Sequence, residues 1–247
     1  MARAELKKTS LPPPSAGDLV HGDLLWPKGK HAIIPYFWNN ETSVTENQLA
    51  AEKADWEVGQ ARFRAEGKPD SLTQGEFEYL ASLTFERFRA RYGLEPHGVG
   101  PGAALLGGLV SVGHVAIVEV LRGEPFIIEA LMKQGVVRRP YESWAKDHAR
   151  DLVWWGRLKG PVADAPGKFV AAARAQVGKP YDFWNFDLSD DRGFYCSKLV
   201  WFAAFKVFGI ALDGDPDPRR GFWYSPRQLT HSRLVDMLQS AGAYGRP

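Results

Sequence analysis

Gly178-Lys179-Pro180-Tyr181-Asp182, followed by Tyr195-Cys196-Ser197-Lys198-Leu199-Val200-Trp201-Phe202-Ala203-Ala204-Phe205, decides the fold, because it carries the one cysteine where a loop becomes a helix. Between the two halves, Asn185 to Gly193 is rich in turn formers. Beyond the cysteine, Leu199, Val200, Phe202, Ala203, Val207 and Phe208 recur at helical spacing until Gly209. The spacing predicts a helix with Cys196 in its first turn. Unsatisfied backbone N–H groups and the positive end of the helix dipole there favour a thiolate and could stabilise an oxyanion. A free cysteine is also commonly a small buried hydrophobe, and residue type alone favours that core position over a nucleophile.

Working outward, Val110-Ser111-Val112-Gly113-His114-Val115-Ala116-Ile117-Val118-Glu119-Val120-Leu121 is rich in β-branched residues, Arg122-Gly123-Glu124-Pro125 supplies a turn, and Phe126-Ile127-Ile128-Glu129-Ala130-Leu131 returns. This predicts a β-hairpin. A two-residue loop pairs Glu129 with Ala116 and a four-residue loop pairs it with Val118; both place Glu129 on the face of His114, with Glu119 opposite. The first register sets Glu129 diagonal to His114, at roughly 7–8 Å between backbones and within carboxylate reach. The second is too far without a bulge or strong twist. Glu129 is therefore the favoured partner, with the register open, while His114 in isolation reads as a hydrogen-bonded core histidine.

The remaining chain supplies a frame. A Pro-rich arm over 1–18 precedes Leu19-Val20-His21-Gly22-Asp23-Leu24-Leu25-Trp26, read as a turn entering a strand. Ser43 with Glu46 opens a helix running to Gly67; Ser71 with Gln74, or Thr73 with Glu76, opens a second, whose stripe of Phe77, Leu80, Ala81, Phe85, Phe88 and Tyr92 is interrupted by Thr84 and ends at Gly93. This helical hairpin, about 43–93, reads as an insertion into a single domain over 19–247, serving as a lid, a partner arm or extra helices on the sheet flank. Glu76, Glu78 and Glu86 form a solvated face. Gly93 to Gly108, with His97, is a Gly-rich connector lacking a phosphate-loop pattern. Gly135-Val136-Val137 and Leu152-Val153-Trp154-Trp155 are two more strands around a short helix near Tyr141 to Lys146, and Asp164-Ala165-Pro166 opens a helix to Val177. His21 and His31 lie near Lys28 and Lys30 and read as solvated rather than catalytic, and His148, in a charged loop, carries little functional weight. Asp213, Asp215 and Asp217 lack the glutamate and the unbroken loop of a calcium site. Ser225-Pro226-Arg227-Gln228 is a capping box, read as starting a last helix to about Gln239.

Composition narrows the function. The 247 residues are 45% hydrophobic, enough for one sizeable core, and a net charge of +2 is far from a nucleic-acid footprint. A single cysteine excludes an intrachain disulfide and a multi-cysteine metal site, leaving thiol chemistry that needs neither cofactor nor metal. Met1 to Lys8 and Leu11-Pro12-Pro13-Pro14-Ser15 have no apolar core of the secretory type, so synthesis in the cytoplasm without a signal peptide is expected. The run Leu199 to Leu212, broken by Lys206, is too short for a bilayer of roughly 30 Å, and no transmembrane segment is expected.

Tyr195-Cys196-Ser197 at a helix start, after Lys179-Pro180-Tyr181-Asp182 and downstream of Gly113-His114-Val115-Ala116-Ile117-Val118 and Ile128-Glu129-Ala130, resembles the permuted papain-like amidases of the YiiX group, related to NlpC-type cell-wall endopeptidases. Gly22-Asp23-Leu24-Leu25 and the Pro-containing helix start at Ser225 add to the likeness, which covers about 20–26 and 110–234. Lys198 departs from it, standing where relatives often carry Glu. The resemblance implies an α+β, circularly permuted papain-like (NlpC-type) fold, with an antiparallel sheet packed against the cysteine helix and the helical hairpin inserted. It further implies a cysteine hydrolase in which Cys196 attacks a carbonyl, His114 moves the proton and Glu129 orients the imidazole. Tyr181 and Tyr195 stand as substrate-binding donors or pocket walls, or simply pack.

The substrate the resemblance suggests is an amide in a bacterial peptidoglycan stem peptide. An enzyme without a signal peptide would need another route to the wall, such as type VI secretion as an antibacterial effector, with a secretion or immunity partner. Two other readings stay open: a lipid or acyl-chain thiol hydrolase or acyltransferase, since the family also resembles the lecithin retinol acyltransferase group and Trp184, Trp201, Phe202 and Trp223 would suit an acyl groove; and a non-catalytic binding module with a buried sulfur.

Overall fold

The computed structural model describes residues 10–29, 50, 53–54, 57, 60–61, 64–65, 67–68, 74–87 (Glu76 and Leu80 by backbone only), 113–182, 185, 187–219, 224–242 and 244. The predicted hairpin is its centre. Strands β2 (Ala116–Leu121) and β3 (Glu124–Leu131) pair with Ile117 opposite Ile128 and Leu121 opposite Glu124, the register of a two-residue loop. Arg122 and Gly123 both have positive φ, 54° and 86°, as a tight hairpin turn matching the strand twist requires. Extending that register sets Glu129 opposite Ala116.

β4 (Gly135–Pro140) pairs with β3; β1 (Leu24–Lys28) lies between β2 and β5 (Leu152–Leu158); β6 (Val235–Gln239) closes the far side, giving an antiparallel sheet ordered β4-β3-β2-β1-β5-β6. Period-two alternation divides the apolar residues between two faces. One face joins Leu24, Trp26, Val115, Ile117, Ile128, Ala130 and Trp154 to Leu199, Val200 and Phe202 of the cysteine helix. The other packs Leu25, Ala116, Val118, Ile127 and Val153 on Tyr141 and Trp144 of α2 (Tyr141–Asp147). Each buried Leu, Val or Phe contributes about 1.5–3 kcal/mol on these faces.

The Gly22-Asp23 turn enters β1 as read. Asp23 is fully buried, and its carboxylate accepts from Arg157 Nε at 2.7 Å and Nη2 at 2.9 Å, from Trp155 Nε1 at 2.9 Å and from the Val20 N–H at 2.9 Å. That set fixes the turn against β5. The arm is irregular from Ser10 but docked: Leu11 joins the core, its carbonyl accepts from the Val153 N–H at 2.8 Å, and the Pro14 carbonyl accepts from Tyr141 Oη at 2.5 Å.

Of the helical insertion, the described part includes α1 (Gln74–Ser82) and helical residues among 50–65. Arg64 Nε donates to the Ala81 carbonyl at 2.9 Å and Lys53 pairs with Glu86 at 2.8 Å, tying the two helical stretches together. α1 stops before Leu83-Thr84, and Thr84 Oγ1 accepts the Arg87 N–H at 3.2 Å, starting a fresh helical turn where the apolar stripe was interrupted. Leu83 and Phe85 are buried in the main core, so this end of the insertion packs on the domain. The caps at Ser43, Ser71 and Thr73, the side chain of Glu76, the connector 93–108, and His31, Trp184 and Trp223 lie outside the described residues.

Two helical expectations are corrected. The helix read as opening at Asp164-Ala165-Pro166 is α4 (Pro166–Arg174), which begins there but stops short of Val177, and a separate helical turn, α3 (Pro161–Asp164), precedes it, because Ala165, ahead of a proline, leaves the helical region (φ −141°, ψ 58°). The capping box at Ser225 is present, but its helix α6 (Pro226–Thr230) does not run to Gln239. Val235–Gln239 instead forms β6, where Val235 is buried, Asp236 and Leu238 are exposed, and Leu158 and Arg157 of β5 are the partners. Sheet pairing overrides the local helical signal.

Candidate active site

The cysteine helix, α5 (Cys196–Phe208), begins on the thiol residue itself and ends at Gly209, whose φ of 65° is the left-handed cap glycine favours. Tyr195 is the N-cap, in extended conformation. Two contacts seat this helix start against the chain before α6. Ser197 Oγ donates to the Tyr224 carbonyl at 2.5 Å, and the Tyr224 N–H donates to Tyr195 Oη at 3.2 Å. Tyr195 is fully buried, which places its ring in the core rather than at an open surface.

Lys179-Pro180-Tyr181-Asp182 runs parallel to Gly193-Phe194-Tyr195. The Phe194 N–H donates to the Pro180 carbonyl at 3.0 Å and the Asp182 N–H to the Phe194 carbonyl at 3.1 Å. A side chain at Gly193 would put its Cβ 2.6 Å from Asp182 Cβ, so only glycine allows this approach. The pairing brings Tyr181 beside the thiol, and its hydroxyl pKa is pushed far above the ordinary value, first by burial and then by the nearby Cys196 and Tyr195. Lys198 points elsewhere: fully buried, it donates from Nζ to the Asn185 carbonyl at 3.2 Å and lies 5.5 Å from the Phe194 ring. Burial lowers its pKa to about 8 against the pull of Asp190, Asp182 and Asp187.

His114 precedes β2, after Gly113 at φ 87°. Its N–H donates to Tyr244 Oη at 3.0 Å, and that hydroxyl lies 2.7 Å from the Pro27 carbonyl it donates to. Nε2 lies 2.7 Å from Glu129 Oε2, the diagonal contact of the two-residue-loop register. A side-chain hydrogen bond also joins His114 to Cys196, for which Nδ1 is the ring atom left. Desolvation opposes charge on the ring, but the hydrogen bonds and attraction of Cys196 and Glu129 outweigh it and raise the His114 pKa to about 10. The imidazole is thus held as imidazolium.

Glu129 is fully buried. Burial pushes its carboxyl up, yet His114 and Arg139 together draw it below the ordinary 4.5. Arg139 Nε donates to Glu129 Oε1 at 2.7 Å, Arg139 Nη1 bonds Asp147, and Trp144 Nε1 lies 3.3 Å from Oε2. Glu119, on the opposite face as expected, instead pairs with Arg138 and with Arg174 of α4.

The structure therefore brings Cys196, His114, Glu129 and Tyr181 together. Cys196 is 5% exposed and the His114 side chain 19%. Two further histidines serve local structure: His21 Nδ1 accepts the Val120 N–H at 3.0 Å, and His148 pairs with Asp151 at 2.7 Å while its ring packs at a tilt against Trp144. Asp213 accepts from Trp201 Nε1 at 3.0 Å. Among the described residues no group of three or more His, Cys, Asp or Glu is placed to hold a metal ion, and no helix is long and apolar enough to cross a membrane. Arg139, Trp144 and Tyr244 escaped the sequence reading. Arg139 was reachable in principle, because it stands opposite Ile127 and so shares the face of Glu129; nothing local marks Tyr244.

The family model described as permuted papain-like amidase enzyme, YaeF/YiiX, C92 family, matches residues 108–213, the span from before His114 to beyond the cysteine helix. The match covers less than half of the chain. That family is one of permuted papain-like amidases; in this chain the strand that follows His114 precedes the cysteine helix. Among solved structures, the chain is similar to the crystal structure of metalloprotein yiiX from Escherichia coli O157:H7, at 20% identity and a TM-score of 0.41, over 51% of this chain and 82% of that one. No curated protein matches the chain.

Proposed function

We propose that this chain is a cysteine amidase that works through Cys196, His114 and Glu129, and the observation that carries the reading is the continuous bonding from Glu129 through His114 to the thiol. Cys196 Sγ attacks a carbonyl carbon as a thiolate while His114 holds the proton on Nδ1. The tetrahedral intermediate collapses as that proton passes to the leaving amine, forming a thioester. Water, deprotonated by His114, then attacks the thioester and releases the acid and the free thiol. Glu129 keeps the ring oriented throughout. The Cys196 N–H at the helix start, one of the orphan donors of the first turn, faces the developing oxyanion, and Tyr181 lines the site.

The substrate class we propose is an amide in bacterial peptidoglycan stem peptides, supported by the likeness of the cysteine and histidine stretches to cell-wall enzymes. Purified peptidoglycan digested with wild type and with Cys196→Ala, products identified by mass, tests both parts. Wild type should release stem-peptide fragments and the variant none. Equal release by both would remove Cys196 from the chemistry; release by neither, with a thiol that reacts, would remove peptidoglycan as the substrate. Directed to the periplasm, wild type should lyse cells, whereas lysis from cytoplasmic expression would contradict a cell-wall substrate.

The burial of Cys196 favours a second reading, a binding module that retains the fold without turnover. Alkylation separates the two. A module leaves the thiol no more reactive in wild type than in His114→Ala, whereas the amidase reading predicts a loss of roughly 10²-fold or more in the variant.

A further inference from the structure

The charged groups behind the candidate site alternate in sign from the surface to the thiol. Asp147, at the end of α2 and 58% exposed, bonds Arg139 Nη1; Arg139 Nε bonds Glu129 Oε1; Glu129 Oε2 bonds His114 Nε2; His114 bonds Cys196. Glu129 is fully buried, and a buried carboxylate is retained as an anion only where charge and hydrogen bonds compensate the desolvation. His114 occupies one oxygen and Arg139 the other, so the two cations meet the carboxylate from opposite ends. Without Arg139, Glu129 could rotate Oε2 away from the ring or take up a proton.

We infer that Arg139 is a positioning residue for the amidase reaction, acting through Glu129: its guanidinium pins Oε1 and thereby aims Oε2 at His114. This rests on the Cys196–His114–Glu129 reading. The guanidinium fork is what the geometry uses, since Nε and Nη1 engage two different carboxylates at once, and a lysine ammonium on a flexible stem supplies the charge without the fork. The groups facing Glu129 are His114 ahead of β2, Arg139 on β4 and the Trp144 N–H on α2, with Asp147 and Cys196 one step removed. Trp144 in turn carries His148, which is paired with Asp151.

The test is the pH profile of Cys196 alkylation by iodoacetamide in full-length wild type, His114→Ala, Arg139→Gln, Arg139→Lys and Asp147→Asn, with thermal melts as the folding control. Arg139→Gln removes a cation from Glu129, so the carboxylate protonates at higher pH and the acid limb of the profile moves up by roughly one unit. Arg139→Lys keeps that limb in place but slows alkylation several-fold at every pH, because charge remains and aim is lost. Asp147→Asn, changing a half-exposed and screened partner, moves neither by more than about twofold. If Arg139→Gln folds and its profile overlays wild type, or if Arg139→Lys matches wild type in both limb and rate, the inference is wrong. Should Arg139→Gln fail to fold, the lysine variant alone decides. A wild-type profile identical to that of His114→Ala would instead overturn the Cys–His reading on which the inference rests.

Discussion

At Glu129 and His114, burial and partners compete, and the sign of the outcome fixes how the protein responds to pH. Glu129 has a folded pKa below its ordinary 4.5, so its stabilisation is present above that value and is lost as pH falls through the folded one. His114 is raised from 6.5 to about 10, so its stabilisation is complete below 6.5 and is lost as pH rises through about 10. Denaturation followed against pH should therefore show a plateau between these limits, and Cys196→Ala should weaken the alkaline fall, because one raising partner is gone. An unchanged alkaline limb would contradict the pairing. At Tyr244, one hydroxyl holds the backbone of His114 to β1 through the Pro27 carbonyl. Tyr244→Phe should cost about 1–3 kcal/mol and lower turnover with KM little changed. A variant with wild-type turnover would show that the histidine backbone needs no such clamp.

The β2–β3 hairpin and the cysteine helix were legible because local chemistry and tertiary use agree. Arg122-Gly123 accepts two positive φ angles, the β-branched alternation fixes which residues share a face, and Gly209 marks the helix end. Glu129 could thus be chosen over Glu119 before any coordinates, with only the loop length left open. The C-terminal strand was not legible: Val235-Asp236-Met237-Leu238-Gln239 follows a true capping box, and its period-two pattern matters only because β5 offers an edge. At the element that delivers the nucleophile, the close approach of Gly193 to Asp182 yields a direct prediction. Gly193→Ala should destabilise by about 1–3 kcal/mol and displace the helix start, lowering alkylation of Cys196 at unchanged pH. A normally folded and fully reactive variant would show that this pairing does not seat the thiol.

Over the molecule as a whole, a six-stranded sheet separates two packed faces, and the candidate site forms where they meet at the start of β2. The cysteine helix and α4 fill one face, while α2 backs Glu129 from the other. The three chemical residues come from separate elements, with Cys196 standing 82 positions after His114 and 67 after Glu129, so their meeting is a property of sheet register and helix docking together. Sequence could supply the residue types and the shared face; it could not supply Arg139, Trp144 or Tyr244, whose roles exist only once β4, α2 and the segment after β6 have packed. The most direct test of the account is the nuclear magnetic resonance titration of the His114 ring in wild type and Cys196→Ala. The account predicts a wild-type ring that stays protonated through neutrality and titrates near 10, falling by about one unit or more in the variant. A wild-type ring that titrates near 6.5 and is indifferent to Cys196 would contradict it.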